Sequence, residues 1–290
     1  MKSKRVGLIG AGTMGCGLAE AMAAKGFDIA LVGRTPEDLQ RAEAHLERVL
    51  TRRLQKWSLT EAEKKAILSR IRLTVDWGEL KACGLVIEAI WERLPDKIAV
   101  HRQIEQVVGA EVPIASNTST LSITEIAAQL QHPERLLGLH FHYPPDRREL
   151  VELVRGEQTS DETVATGRAF IESLEMTAVH VFESPGYVTT RLMLPLINEA
   201  IALLTEGVAT AEDIDTAMEV GYGFHSGPLT LADRFGLDSV LKTMEALFSE
   251  TGDPRYRPTP LLRQKVRMGQ LGVKTGEGIF RYDEGGNRLS

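Results

Sequence analysis

A glycine-rich turn near the start of the chain constrains its fold more than any other feature. The apolar run 6–9 predicts a buried strand, and the segment 18–25 predicts a helix that ends before Gly26. Between them the chain reads G-x-G-x-x-G, and strand, glycine turn and helix in this order are typical of a dinucleotide-binding fingerprint. The helix N-terminus would receive the pyrophosphate, although a glycine turn can also serve packing alone. The predicted cofactor residues on this turn are Gly10, Gly12, Thr13, Met14 and Gly15.

The end of the second predicted strand bears on the choice of cofactor. The apolar run 27–32 ends in Gly33-Arg34-Thr35, where an NAD enzyme usually carries Asp or Glu to bind the ribose 2′-hydroxyl. A carboxylate would repel a 2′-phosphate, whereas Arg34 can bind one through two hydrogen bonds. We therefore predict that Gly33 and Arg34 favour NADP(H), with NAD(H) still possible. An exposed arginine without any cofactor role is the alternative.

Composition and charge bound the class of protein. The 290 residues suffice for one large or two medium domains, and a net charge of −6 argues against nucleic acid as the main partner. Two cysteines, Cys16 and Cys83, form neither a disulfide framework nor a metal-ligand pattern, so we predict no metal site and a reducing, cytoplasmic setting. No apolar stretch is long enough to span a membrane, and the basic N-terminus runs into the first strand, so we expect neither a membrane span nor a signal peptide.

The alternation of predicted strands and helices divides the chain in two. Strands and helices alternate as far as residue 182, which predicts an α/β, Rossmann-type doubly wound sheet over 1–184. Residues 185–290 predict an all-helical domain for substrate binding and dimerisation. Its predicted helices cover 190–206, 211–220, 229–249 and 260–268. They carry more apolar residues than a lone solvated bundle needs, so we expect a homodimer that buries Pro195, Leu196 and Ile197.

Polar residues on predicted strands carry the candidate chemistry. Asn117 and its polar neighbours follow the strand that ends at Ser116, at the sheet edge where ligands bind in such folds. His140 lies near the end of the next strand, and Glu152 lies within the apolar run 150–154, where an unpaired carboxylate is costly. Pairing with Glu152 would fix the tautomer of His140, which suits proton exchange during hydride transfer. The alternatives are a histidine satisfied within the core and a Glu152 that points outward.

A series of short motifs along essentially the whole chain resembles one enzyme family. They are GAGTMG (10–15), VIEA (86–89), ASNTS (115–119), LSITE (121–125), GLHF (138–141), LVELV (150–154), SPGY (184–187), INEA (197–200), GVA (207–209), GPL (227–229) and KTGEG (274–278). On these motifs the sequence resembles the short-chain L-3-hydroxyacyl-CoA dehydrogenases, and among them the 3-hydroxybutyryl-CoA dehydrogenases. The resemblance implies an oxidoreductase of fatty acid metabolism that interconverts 3-hydroxyacyl and 3-oxoacyl thioesters.

The resemblance also implies roles for residues at matching positions. His140 would be the general acid/base, Glu152 its orienting carboxylate, and Ser119 a hydrogen-bond partner of the substrate 3-oxygen. Asn117 would lie beside the nicotinamide ribose. The other matching cofactor positions are Glu92, Lys97 and Lys274.

Two basic residues match positions where the family binds the CoA nucleotide. Arg52 and Lys56 have the i, i+4 spacing that places both side chains on one helix face. The resemblance therefore implies a CoA phosphate at this face. A solvated face of a polar helix explains the same spacing equally well.

Three departures from the family pattern concern the cofactor and the substrate. The family has an acidic residue at the position of Gly33 and an asparagine, near the reacting carbonyl, at that of Thr190. It usually reads His-Phe-Phe-Asn-Pro, whereas this chain has His140-Phe141-His142-Tyr143-Pro144. Thr190 is shorter than asparagine and Tyr143 can narrow the pocket, so we predict a site for short acyl chains with Thr190 in contact with substrate.

We therefore predict an NADP(H)-preferring dehydrogenase of short-chain acyl-CoA, such as the 3-hydroxybutyryl-CoA and acetoacetyl-CoA pair. Three other functions remain open. They are the same reaction on an acyl-carrier-protein thioester, a lambda-crystallin-like dehydrogenase of free hydroxy acids or polyols, and a non-catalytic cofactor-binding protein. The presence of Ser119, His140 and Glu152 argues against the last of these.

Overall fold

The computed structural model describes residues 3–142 and 149–289, which form two compact units. The first unit extends to Tyr187, and the second begins at Val188. This division lies slightly beyond the boundary between 184 and 185 that the sequence suggested. Tyr143, which was expected to narrow the substrate pocket, lies outside the described residues.

The first unit is built on one sheet, which has eight strands in the described part of the chain. The strands are β1 (Arg5–Ile9), β2 (Asp28–Val32), β3 (Ile71–Thr74), β4 (Leu85–Glu88), β5 (Ile114–Ser116), β6 (Leu136–Phe141), β7 (Leu150–Arg155) and β8 (Thr177–Phe182). Their order is β3-β2-β1-β4-β5-β6-β7-β8, and the strands from β3 to β6 pair in parallel. Strand β7 pairs with β6 in the antiparallel sense, and β8 follows β7 in parallel. The predicted α/β doubly wound sheet is confirmed, with a reversed pair of strands at one edge.

Helices cover both faces of this sheet. They are α1 (Thr13–Ala24), α2 (Pro36–Gln55), α3 (Glu61–Arg70), α4 (Leu94–Val107), α5 (Ile123–Ala127) and α6 (Asp161–Ser173). Along β2, Ile29 and Leu31 join one apolar cluster while Ala30 and Val32 join the other, as the alternation of side chains along a strand requires. The long helix α2 begins at Pro36 because Thr35 accepts a hydrogen bond from a first-turn N–H group.

The second unit is helical in its described residues, apart from short turns and isolated bridges near its end. Its helices are α7 (Thr189–Thr205), α8 (Ala211–Tyr222), α9 (Pro228–Phe235), α10 (Leu237–Thr251) and α11 (Pro260–Arg267). The single helix predicted over 229–249 was wrong: Gly236 adopts a φ of 89° and separates α9 from α10. Ile197 was expected at a dimer contact, but it is fully buried within the apolar cluster of this unit.

In residues 3–142 and 149–289, no helix combines the length and the apolar composition that a membrane span requires.

Candidate active site

The glycine turn after β1 requires glycine at two positions for steric reasons. A Cβ atom on Gly15 would lie 1.8 Å from the carbonyl oxygen of Gly10, so helix α1 packs against the turn more closely than any side chain allows. Gly10 has a φ of 113°, and a Cβ there would lie 2.6 Å from the oxygen of Ala89. These close approaches are what the first and third glycines of the fingerprint provide.

The N-terminus of α1 is suited to an anionic ligand. Its N-cap is Gly12, which has no side chain to occupy the first-turn N–H groups, and a Cβ there would meet open space. A helix N-terminus with free N–H groups favours a phosphate. A cavity of about 1260 Å³ opens beside it. Of the predicted cofactor residues, those that line this cavity are Gly10, Gly12, Thr13, Met14, Gly33 and Arg34. The size, the open glycine and the free helix end fit a dinucleotide.

Arg34, at the end of β2, lies at one side of the same cavity. Its Nε donates to Asp38 Oδ2 at 2.9 Å, and its guanidinium lies 5.0 Å from the centre of the Trp91 ring. Arg41 donates to the other oxygen of Asp38 at 2.5 Å. Gly33 offers no carboxylate at this strand end, and the acid that pairs with Arg34 is Asp38, on the first turn of α2.

Glu92 organises the loop after β5. Its Oε1 accepts hydrogen bonds from the backbone N–H groups of Ser119 and Thr120, at 2.9 and 3.1 Å, and from the hydroxyl of Thr118. The ammonium group of Lys97 lies 3.5 Å from the other oxygen of Glu92. Glu92 thereby holds the Ser119 loop in one conformation at the carboxyl edge of the sheet.

Lys97, which was expected to contact the cofactor, lies in the interior of the first unit. Its side chain is fully buried, and its Nζ donates to Glu88 Oε1 at 2.6 Å. The same ammonium group also lies 3.5 Å from Glu92 Oε2, so it is held between two carboxylates. The cofactor role of Lys97 was implied by the family resemblance, which does not report burial.

Glu88 is the centre of this buried polar network. Besides Lys97, it accepts from the Ser116 hydroxyl at 2.6 Å and lies 3.3 Å from His101 Nε2. Burial alone would raise the pKa of Glu88, but the His101 hydrogen bond and the Lys97 charge outweigh it and lower the pKa to about 2. Glu88 is therefore ionised in the folded protein. His101 Nδ1 has no hydrogen-bond partner among the described residues.

His140 and Glu152 meet across the antiparallel pair β6–β7. They are direct partners in the register, and His140 Nδ1 lies 2.7 Å from Glu152 Oε2. An ionised carboxylate can only accept, so Nδ1 carries the hydrogen and Nε2 is the nitrogen able to take a proton. Asn117 braces the same strand, because its Oδ1 accepts from the Phe141 N–H at 2.9 Å.

Tyr187 also lies against His140, with ring centres 5.6 Å apart. Its hydroxyl donates to the carbonyl oxygen of Leu121 at 3.3 Å, and burial raises the pKa of Tyr187 well above its ordinary value. The phenol therefore holds its proton at neutral pH.

His142 extends this pair to three groups. Its ring centre lies 4.6 Å from that of His140, and its Nε2 lies 3.8 Å from Glu152 Oε2. Ligand atoms of these three residues all fall within 4.8 Å of one another, so together they could hold a metal ion. The sequence had marked His142 only as a departure from the family pattern.

The remaining predicted residues lie elsewhere in the chain. Arg52 and Lys56 are exposed, at the C-terminal end of α2, whereas Arg34 precedes its N-terminus. Thr190 and Lys274 belong to the second unit. Thr190 is in the first turn of α7, and Lys274 forms an ion pair with Asp238.

Asp38, Arg41 and His101 belong to these networks but were not predicted as site residues from the sequence. Asp38 and Arg41 follow Arg34 at helical spacing, and His101 follows Lys97 by one turn of α4. The i, i+3 and i, i+4 rule could have grouped each set. This rule could not show that Asp38 and Arg41 line the cofactor cavity, or that His101 is buried against Glu88.

The sheet, the glycine turn and the cavity define a dinucleotide-binding protein. Residues 5–184 match the 3-hydroxyacyl-CoA dehydrogenase NAD binding domain, and residues 186–282 match the 3-hydroxyacyl-CoA dehydrogenase C-terminal domain. The chain belongs to the 3-hydroxyacyl-CoA dehydrogenase family, and it is an oxidoreductase.

Similar proteins support this assignment over the full chain. A probable 3-hydroxybutyryl-CoA dehydrogenase of Bacillus subtilis is 41% identical, covering 98% of this chain and 99% of the relative. The 3-hydroxybutyryl-CoA dehydrogenase of Clostridioides difficile is 39% identical, covering 97% of this chain and all of the relative (100%). The crystal structure of (S)-3-hydroxybutyryl-CoA dehydrogenase from Ralstonia eutropha has a TM-score of 0.88 and 43% identity, covering 97% of this chain and 99% of that chain.

Proposed function

We propose that this protein interconverts short-chain 3-hydroxyacyl-CoA and 3-oxoacyl-CoA, with 3-hydroxybutyryl-CoA and acetoacetyl-CoA as the working pair, and that it prefers NADP(H). The observation that carries the proposal is the buried His140–Glu152 pair at the carboxyl edge of the sheet. The names of the similar proteins supply the substrate class, since they are 3-hydroxybutyryl-CoA dehydrogenases.

The side chains of the first unit divide the work of the reaction. A bound nicotinamide supplies or accepts the hydride at the 3-carbon of the acyl chain. In oxidation, His140 Nε2 takes the proton of the 3-hydroxyl group, and Glu152 stabilises the imidazolium that results. In reduction, the same nitrogen returns the proton to the 3-oxygen. The Ser119 hydroxyl donates a hydrogen bond to that oxygen and keeps its own proton, on a loop that Glu92 fixes.

Other residues position the two ligands. Asn117 would hold the nicotinamide ribose. Glu92, with Lys97 behind it, and Lys274 would serve the cofactor as well. Arg52 and Lys56 bind the phosphates of CoA, because they present two exposed cations on neighbouring turns. Thr190 contacts the acyl group and, being shorter than asparagine, favours short chains.

The preference for NADP(H) rests on the end of β2. Gly33 offers no carboxylate to repel a 2′-phosphate, and Arg34 can form charge-assisted hydrogen bonds to one. With NADPH as the preferred cofactor, reduction is the proposed working direction.

The direct test is steady-state kinetics of the purified protein with acetoacetyl-CoA. We expect turnover with both cofactors and a kcat/KM about tenfold or more higher with NADPH than with NADH, the size of one charge-assisted contact. Acetoacetyl-carrier protein and free acetoacetate serve as comparison substrates. A higher kcat/KM with NADH would refute the cofactor preference, and a higher kcat/KM on either comparison substrate would refute acyl-CoA as the working substrate.

We also propose that the protein is a homodimer through its second unit. Leu192, Val220 and Tyr222 are 71, 81 and 77% exposed in the single chain, and large apolar side chains on a surface are typical of an interface. Light scattering at micromolar concentration should give twice the chain mass. Val220→Asp should shift the protein toward monomer, and a wild-type monomer would refute the proposal.

A further inference from the structure

A single carboxylate bridges two arginines at the edge of the cofactor cavity. Asp38 Oδ2 accepts from Arg34 Nε at 2.9 Å, and Asp38 Oδ1 accepts from Arg41 Nη2 at 2.5 Å. The Asp38 side chain is 15% exposed, whereas those of Arg34 and Arg41 are 64 and 73% exposed. The two guanidinium groups are therefore accessible to a ligand, while the anion that they share is mostly covered.

Neighbouring groups hold this arrangement in place. The Arg34 guanidinium lies 5.0 Å from the centre of the Trp91 ring, a cation–π distance, so Arg34 is fixed between an indole and a carboxylate. The Asp38 N–H donates to Thr35 Oγ1 at the start of α2. Hydrogen bonds from Arg41 and Arg34 hold the pKa of Asp38 below its ordinary value, so its carboxylate is ionised at neutral pH.

The charge of the cavity wall favours an anion of more than one negative charge. Arg34, Arg41 and Arg48 line it, together with Asp38 and Asp96. Asp96 lies 3.3 Å from Arg93, which supplies that carboxylate with a cation of its own. Arg34 and Arg41 therefore both pair with Asp38. A phosphomonoester carries a charge of about −1.5 to −2 at neutral pH and offers three acceptor oxygens, so it matches two arginines better than one carboxylate does.

We propose that Arg34 and Arg41 form a two-arginine clamp for the 2′-phosphate of the cofactor, and that Asp38 is its built-in competitor. The carboxylate occupies both arginines in the free protein and is displaced when the phosphate binds. Arg41 is thereby a second phosphate ligand, and Asp38 limits how strongly a 2′-phosphate is favoured over a 2′-hydroxyl. The clamp rests on the proposed function only in taking the glycine turn as the site of a nicotinamide dinucleotide.

The same geometry allows an opposite role for Asp38, and the experiment has to distinguish the two roles. Asp38 could replace the acid missing at Gly33 and accept a hydrogen bond from the ribose 2′-hydroxyl. Removing its charge would then weaken ligands that carry a free 2′-hydroxyl. In the clamp, removing that charge strengthens ligands that carry a 2′-phosphate and leaves the others unchanged.

The test measures binding of small adenosine probes to the full chain by titration calorimetry. The probes are adenosine 2′,5′-bisphosphate, its 3′,5′ isomer, which is the nucleotide part of CoA, and 5′-AMP, which lacks the second phosphate. The proteins are wild type, Asp38→Asn, Arg41→Gln and the control Arg72→Gln. Arg72 is an exposed arginine of the same unit that pairs with Glu79, so its removal matches Arg41→Gln in charge and exposure.

We expect Asp38→Asn to tighten binding of the 2′,5′-bisphosphate about tenfold and Arg41→Gln to weaken it about tenfold, the size of one charge-assisted contact. Both variants should bind 5′-AMP within about twofold of wild type, and neither should change binding of the 3′,5′ isomer. Arg72→Gln should match wild type with every probe. Weaker 5′-AMP binding by Asp38→Asn would overturn the proposal. It would also be overturned if either substitution left binding of the 2′,5′-bisphosphate unchanged, or if the substitutions affected both bisphosphate isomers equally.

Failure of the clamp and failure of the proposed function give different results. A wild-type protein that prefers NADH, yet binds the 2′,5′-bisphosphate in a manner sensitive to Arg41 and Asp38, refutes the NADPH preference and leaves the clamp standing. A wild-type protein that prefers NADPH, with bisphosphate binding insensitive to both substitutions, refutes the clamp alone.

Discussion

Glu152 lies directly opposite His140 across β6 and β7, and its Oε2 is 2.7 Å from His140 Nδ1. Direct partners in an antiparallel pair present their side chains on the same face of the sheet, which is why residues twelve apart in sequence meet with no intervening group. The Glu152 side chain is fully buried, and the His140 side chain is 8% exposed. The carboxylate is therefore shielded from water, whereas a small part of the imidazole reaches solvent.

Breaking this pair should lower turnover without affecting cofactor binding. Glu152→Gln keeps the size of the side chain but removes the charge that stabilises the imidazolium, so kcat should fall. His140→Ala should lower kcat by roughly 10²–10⁴-fold, the contribution of a positioned acid/base. The Kd of NADPH, measured by fluorescence titration, should stay within about twofold of wild type in both variants, since neither change touches the glycine turn.

A matched control for this prediction is His180→Ala. His180 is an exposed histidine on β8, so its loss should leave kcat unchanged. Near-normal turnover by His140→Ala would remove the residue from the mechanism.

The double substitution Gly33→Asp with Arg34→Ile should shift preference toward NADH. It installs the acid that binds a ribose 2′-hydroxyl and removes a cation that binds a 2′-phosphate. The ratio of kcat/KM for NADPH over NADH should fall on the order of tenfold to a hundredfold, corresponding to about 1.5–3 kcal/mol.

The control for this change is Gly33→Ala alone. A Cβ on Gly33 would lie 2.6 Å from Leu39 Cδ2, the end of a flexible side chain that can turn away. Gly33→Ala therefore reports the steric cost, which should fall equally on both cofactors. An unchanged cofactor ratio in the double variant would contradict the role given to Arg34.

The buried Glu88 network should make stability fall in acid. The folded pKa of Glu88 is about 2 and its ordinary value is 4.5, so the unfolded chain binds the proton at higher pH than the folded protein. The stabilisation is therefore fully present above about pH 4.5 and is lost as pH falls toward 2. From this group alone, the free energy of unfolding should drop by up to about 1.4 kcal/mol per pH unit in that window.

Urea unfolding of wild type and Glu88→Gln between pH 3 and 7 tests this expectation. The variant should be less stable at pH 7, because Lys97 loses its buried partner, and the difference should narrow as pH falls. Glu172→Gln, which removes an exposed carboxylate, should follow wild type at every pH. If Glu88→Gln does not fold, the carbon-13 shift of the wild-type Glu88 carboxyl should still show ionisation well below pH 4. A constant difference, or titration near 4.5, would contradict the prediction.

Thr190 should set the length of the acyl chain that is turned over. A threonine hydroxyl reaches less far than an asparagine amide, so we expect a short-chain site with a water or a substrate hydroxyl beside it. The kcat/KM should be higher for acetoacetyl-CoA than for 3-oxodecanoyl-CoA, and Thr190→Asn should be neutral or harmful with the four-carbon compound. A gain of turnover in Thr190→Asn would show that acetoacetyl-CoA is a poor surrogate. A preference for the longer chain would refute the short-chain site.

Much of the architecture could be predicted from the sequence because it depends on local patterns. Helix α3 follows from the Thr60 and Glu63 capping box, whose two reciprocal hydrogen bonds are both present. The glycine turn follows from steric limits on single residues, as Gly10 and Gly15 show. Such features involve residues close in sequence, so spacing and residue type suffice to specify them.

The Rossmann-type sheet, the glycine turn, the helical second unit and the residue types available for acid/base chemistry all follow from the amino-acid sequence. Which of these residues meet depends on how the chain folds. The reversed direction of β7 sets Glu152 opposite His140, and the packing of α4 on the sheet buries Lys97 against Glu88. Each of these contacts joins two separate elements. The relative direction and register of such elements depend on burying the apolar surface of the whole unit, and not on any local run of residues.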